Sequence, residues 1–120
     1  MSVKESEIQR DIRIRLSEIG GNLFLRYNVG TFLTMDGRPV KIGVPGVSDL
    51  IGCVSRKITE EDVGKTVAVF TVIETKQEKD HTAAERKRKQ GAFIARVREL
   101  GGMGGIARSV KDAEKIISEL

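Results

Sequence analysis

The sequence predicts a mixed α/β (or α+β) domain, with a mixed sheet flanked by helices. Three observations carry that expectation. Ile8, Ile12, Leu16 and Ile19 recur at helical intervals near the N-terminus. The run Val67-Ala68-Val69-Phe70-Thr71-Val72-Ile73 is apolar or β-branched on both faces, as in a strand covered from both sides. Downstream, a strand–helix–strand order implies a parallel pair joined by a crossover.

The elements follow in order. Ser2 and Glu5 have capping-box spacing, and the first helix is expected from about Val3 to Ile19, stopping at Gly20-Gly21. Leu23 to Val29 reads as a strand. Thr31 to Met35 and Arg38 to Ile42 flank Asp36-Gly37, a pair whose members both tolerate positive φ in a tight hairpin turn. Gly43-Val44-Pro45-Gly46 breaks the pattern, and a strand resumes at about Ser48 to Val54. Ser55 to Lys65 is a polar connection with room for one helical turn after Thr59. Val67 to Lys76 is the expected central strand. Thr82 and Glu85 form a second capping box for a helix running through Leu100 to Gly101-Gly102. Ile106 to Arg108 is a short strand, and Ser109 caps a final helix ending at Leu120.

A length of 120 residues suits one domain, expected to cover 1–120, with 39% hydrophobic and 32% charged residues typical of a globular chain. No apolar run approaches the roughly 20 residues of a membrane span, and the polar start Met1-Ser2-Val3-Lys4-Glu5 does not resemble a signal peptide. A cytoplasmic location is the expectation. Cys53 is the single cysteine, so an internal disulfide and a thiolate zinc cluster are both excluded. The net charge is +4, and between Lys76 and Arg98 eight Lys/Arg stand against three Asp/Glu. The excess charge is thus concentrated on one segment, which suits a polyanion or, equally, a solvated helix face.

Glu74 and Lys76 end the central strand, and residues two apart on a strand share a face. Alone they read as a surface ion pair. Asp49 opens the preceding core strand, however, and sequential strands are usually neighbours, so Asp49 can lie beside Glu74. Two carboxylates with a lysine at one sheet end suit Mg²⁺, which takes oxygen ligands and keeps room for water and phosphate. Gln90, Phe93 and Val97 form one helical stripe that turns Gln90 toward the sheet. Arg86, a turn earlier, can hold a phosphate, with Lys87 and Lys89 beside it in the basic segment. Glu7 either faces the same cavity or is a solvated charge at a favourable helix end. His81, before a helix cap, reads as loop.

This set resembles the PD-(D/E)xK nuclease superfamily and, within it, the virus-type replication-repair nuclease (VRR-NUC) family. The likeness spans Glu7, the segment Gly46-Val47-Ser48-Asp49-Leu50-Ile51-Gly52, then Ile73-Glu74-Thr75-Lys76, Gln90-Gly91-Ala92-Phe93, and Gly101-Gly102 before Ile106. Ser48 replaces the superfamily's proline before the aspartate, as it does in VRR-NUC members. The resemblance implies a restriction-endonuclease-like αβββαβ core and DNA phosphodiester hydrolysis with Mg²⁺ or Mn²⁺. Asp49, Glu74 and the Thr75 carbonyl would be metal ligands, with Glu7 reaching the metal directly or through water. Lys76 would orient or deprotonate the attacking water, and Gln90 would position water or substrate. Stand-alone members resemble symmetric dimers that cut branched DNA such as four-way (Holliday) junctions, so a homodimer acting in DNA repair is expected. The rival is a non-catalytic nucleic-acid-binding module that uses the basic helix alone.

Overall fold

In the computed structural model, residues 4–119 are described. They form three α-helices and six strands in the order α1 (Glu5–Ile19), β1 (Asn22–Arg26), β2 (Gly30–Leu33), β3 (Pro39–Ile42), β4 (Leu50–Val54), β5 (Thr71–Thr75), α2 (Ala84–Glu99), β6 (Met103–Ala107) and α3 (Val110–Ile117). The mixed α+β character expected from the sequence is present. Where the sequence suggests one mixed sheet, the strands pair as β1–β4, β2–β3 and β5–β6, each a two-stranded sheet. The chain divides into two compact units, 1–54 and 55–120.

In the first unit, α1 begins at Glu5 with Lys4 as its N-cap, and no side chain caps it. The Ser2 part of the expected capping box lies outside the described residues. Helix α1 packs on β1, yet none of its residues is buried. Its stop is better defined: the Leu16 carbonyl accepts from Gly20 N at 3.1 Å and from the Asn22 amide at 3.0 Å. Strand β1 runs antiparallel to β4, with Phe24 opposite Gly52. The β2–β3 hairpin departs from the two-residue turn that Asp36-Gly37 suggests. Within the turn only Gly37 has positive φ, 82°, and among the described residues no non-glycine residue does. Gly37 N donates to the Thr34 carbonyl and Thr34 N to the Arg38 carbonyl, the bonds of a type I turn followed by a left-handed glycine. Asp36 then bonds the Thr34 hydroxyl and sits 2.9 Å from Arg38; these two partners hold its carboxyl below its ordinary range.

In the second unit, the polar connection makes one short 3₁₀ turn, Glu60–Asp62, closed by a Thr59–Asp62 capping box. Asp62 is buried and paired with Arg56 at 2.7 Å, which offsets the cost of taking its charge from water. The central strand proves shorter than expected. Val67 to Phe70 carry no strand ladder, and β5 pairs on one edge with β6, in parallel register from Thr71–Met103 to Thr75–Ala107. β-Branched residues supply propensity, but a strand is defined by its partner, and Val67 is left more than half exposed.

Helix α2 begins later than the Thr82 box predicts, with Ala83 as N-cap and no side-chain cap. It ends as expected: Gly101 N bonds the Arg98 carbonyl and Gly102 N the Val97 carbonyl, the paired bonds of a Schellman motif. Ser109 caps α3 by accepting from Asp112 N at 3.2 Å. Helices α2 and α3 both pack on β6. A Cβ at Gly104 would meet Ile94 of α2 and Val72, whereas one at Gly105 would meet Ile116 of α3. Successive strand residues face opposite ways, so a helix lies against each face. The buried apolar residues Val97, Ala107 and Ile116 mark this core.

Gly104→Ala is expected to destabilise the fold. Its Cβ would stand 2.9 Å from Val72 Cγ2 and 3.2 Å from Ile94 Cγ2. Overpacking of this kind costs about 1–3 kcal/mol. Urea unfolding should show a lower midpoint at unchanged slope; an unaltered midpoint would mean that α2 does not rest closely on β6.

Candidate functional site

The end of β5 and the start of α2 frame the site. Period-two alternation sends Glu74 and Lys76 to one face, and α2 lies over that face with Gln90 at its inner side. Gln90 joins the two charges. Its amide Nε2 donates to Glu74 Oε1 at 2.8 Å, while its Oε1 accepts from Lys76 Nζ at 2.5 Å. This arrangement fixes the amide's orientation and leaves the second Glu74 oxygen for another partner. The Lys76 backbone is held as well, its N–H donating to the Ala107 carbonyl at 3.0 Å.

Lys76 is the most enclosed charge of the group, with a side chain only 5% exposed. Besides Gln90, its ammonium donates to Thr82 Oγ1 at 2.8 Å and stands 4.0 Å from Asp80 Oδ2. Asp80 also accepts from Thr82 N at 2.9 Å and pairs with Lys87 at 3.3 Å. The Thr82 hydroxyl and then its N–H, with smaller help from Lys87 and Lys76, hold the Asp80 carboxyl well below the usual carboxylate range. These groups border a cavity of about 390 Å³ whose walls include Glu74, Lys76, Asp80, His81, Arg86 and Gln90.

The structure thus brings together Glu74, Thr75, Lys76, Gln90 and Arg86. Glu7 and Asp49 belong to the first unit, and both are exposed. Glu7 occupies the first turn of α1. Asp49 immediately precedes β4, and its carbonyl accepts from Tyr27 N at 2.8 Å, continuing the β1–β4 ladder by one bond. Of the basic residues expected to meet DNA, Arg86 is exposed at the cavity wall. Lys89 reaches Glu85 at 3.8 Å, a pair of little energetic weight in water. Lys87 is engaged by Asp80.

Asp80 and Thr82 escaped the sequence reading. Thr82 matches a helix cap by spacing, which hides its use as an acceptor for Lys76, while His81 lies in a loop as expected. The signal was there in Asp80-x-Thr82, where an aspartate bonds the backbone N–H two residues on.

The donor set within the second unit suits a hard cation in part. Glu74 supplies a carboxylate oxygen and Thr75 a neighbouring main-chain carbonyl, and Mg²⁺ accepts few protein ligands when water and phosphate complete its shell. Among the described residues, no three His, Cys, Asp or Glu side chains gather as a cage. Among the described residues, no helix is long and apolar enough to cross a membrane. No family model, curated protein or solved structure matches the chain.

Proposed function

We propose that the chain is a metal-dependent nuclease that hydrolyses DNA phosphodiesters and prefers branched DNA, such as a four-way junction, to linear duplex. One observation carries this reading: the enclosed Lys76 ammonium, linked through Gln90 to the Glu74 carboxylate at a cavity that Arg86 also borders. With the β2–β3 hairpin set aside, the α-helices and strands from α1 to β6 read αβββαβ, with α3 following, which supports the restriction-endonuclease-like core.

The residues divide the work by their chemistry. Lys76 has three N–H donors, and two are committed to Gln90 and Thr82. The third, with Asp80 Oδ2 4.0 Å away, would serve a phosphate oxygen or the attacking water. Gln90 orients Glu74 by binding one of its oxygens. Arg86 offers a planar fork suited to a phosphate. Glu74 and the Thr75 carbonyl would hold Mg²⁺ or Mn²⁺, and the sequence resemblance adds Asp49 and Glu7 as ligands. The bound ion would polarise a phosphate oxygen and lower the pKa of a coordinated water.

A panel of labelled single-stranded, duplex, flapped and four-way DNAs, incubated with Mg²⁺ or Mn²⁺, tests the proposal. The junction should be cut fastest, and light scattering should report about twice the 13.2 kDa chain mass. A second copy of the chain would supply the paired site that two opposed incisions need, and the hairpin offers apolar contact through exposed Phe32, Leu33 and Met35. A monomer that cuts all forms equally would remove the junction preference, and no cutting of any form would remove the nuclease.

The second reading, a binding module without catalysis, is favoured by the exposed basic residues of α2. Binding by those residues would release counterions. Neutralising Arg86, Lys87 and Lys89 together should shrink the slope of log affinity against log salt by about two, at about one per lost phosphate contact. The third charge counts less because Lys87 is held by Asp80. An unchanged slope would place the nucleic acid on another face. A carboxylate-dependent metal site, seen by titration, separates the nuclease from the simple binder.

A further inference from the structure

The geometry points to the turn before α2 as a positioning element: Asp80 and Thr82 fix where the Lys76 ammonium stands. The inference rests on the nuclease reading for its effect on turnover, while its effect on Lys76 itself can be read without substrate.

A lysine is a flexible four-carbon stem ending in a compact charge, and holding it in one place has a conformational cost. Gln90 alone gives Lys76 one hydrogen bond. Thr82 Oγ1 gives the second, at 2.8 Å. That hydroxyl is itself oriented, because Thr82 N donates to Asp80 Oδ1 at 2.9 Å and ties the two residues into one small turn. The other Asp80 oxygen lies between two lysines, 3.3 Å from Lys87 Nζ and 4.0 Å from Lys76 Nζ. Lys87 sits in the first turns of α2, so the pair fastens the turn to the helix that carries Gln90. Side-chain exposures of 5% for Lys76 and 11% for Asp80 place their attraction in a poorly screened setting. Neither Asp80 nor Thr82 reaches Glu74. They act on the lysine, and through it on whatever the third N–H meets.

Three variants test this: Asp80→Asn, which keeps the shape and removes the charge; Thr82→Val, which removes the hydroxyl; and Thr82→Ser, which restores it. With the junction substrate, kcat should fall roughly 10- to 100-fold in the first two, the scale of one charge-assisted hydrogen bond. KM should change little, and Thr82→Ser should recover most of the rate. The substrate-free readout is acetylation of Lys76 by a small amine-reactive reagent, followed by mass spectrometry, with exposed Lys111 as internal reference. Lys76 should react slowly in the native protein and several times faster in Asp80→Asn and Thr82→Val, relative to Lys111. Thermal melting confirms that each variant is folded. Faster acetylation in a protein that cuts no DNA would support the positioning and end the nuclease reading. Unchanged kcat and unchanged acetylation in an active enzyme would overturn the positioning alone. An equal loss in Thr82→Ser and Thr82→Val would also overturn it, because the hydroxyl would then be irrelevant.

Discussion

Glu74→Ala is expected to abolish DNA cleavage while the protein still melts cooperatively. The carboxylate is linked to the Lys76 ammonium through Gln90, and a metal held there would lose its one charged ligand from the second unit. The loss should exceed the roughly 10- to 100-fold typical of substitutions outside a metal's direct ligands. The fold should survive, because Glu74 is only half-buried and Gln90 keeps its bond to Lys76. Near-native cleavage by the folded variant would refute the site. Asp49→Ala deserves the same assay as a separate experiment, since the resemblance alone assigns Asp49 to the metal. An active Asp49→Ala protein would remove that ligand without touching the role of Glu74.

Lys76→Met is expected to lower kcat by about 10²- to 10⁴-fold, the range for a positioned proton-transfer or charge-stabilising group. Methionine keeps the enclosed aliphatic stem and removes only the charge and its donors. Affinity for Mn²⁺, followed by titration calorimetry, should hold steady or rise, because an ammonium repels a cation. Stability should drop modestly, since Gln90 Oε1 and Thr82 Oγ1 each lose a donor. A large loss of metal affinity would mean that Lys76 serves the ion's surroundings and not the phosphate.

Much of the second unit could be read from spacing. Period two put Glu74 and Lys76 on one face, and the i, i+3, i+7 stripe put Gln90 on the same helix face as buried Val97. The C-terminal end of α2 and the start of α3 were legible because Gly101-Gly102 and Ser109 act through bonds within a few residues. Other features were not legible, for physical reasons. The apolar run from Val67 to Phe70 carries strand propensity, but pairing is decided by a distant partner, and β6 begins only at Met103. Thr82 fits two local patterns, and the one chosen by spacing was not the one adopted.

The absence of a side chain at Gly104 bears on more than stability. Gln90 reaches Glu74 and Lys76 with a side chain of fixed length, so its bonds close only while α2 rests at one height above β5. Gly104 helps set that height on the α2 face; Gly105, one residue on, faces α3. The amide bridge therefore works as a gauge of helix-to-sheet spacing. A displacement of α2 beyond the reach of the Gln90 side chain would part the Glu74–Gln90–Lys76 chain, whereas α3, on the opposite face, does not carry any member of it.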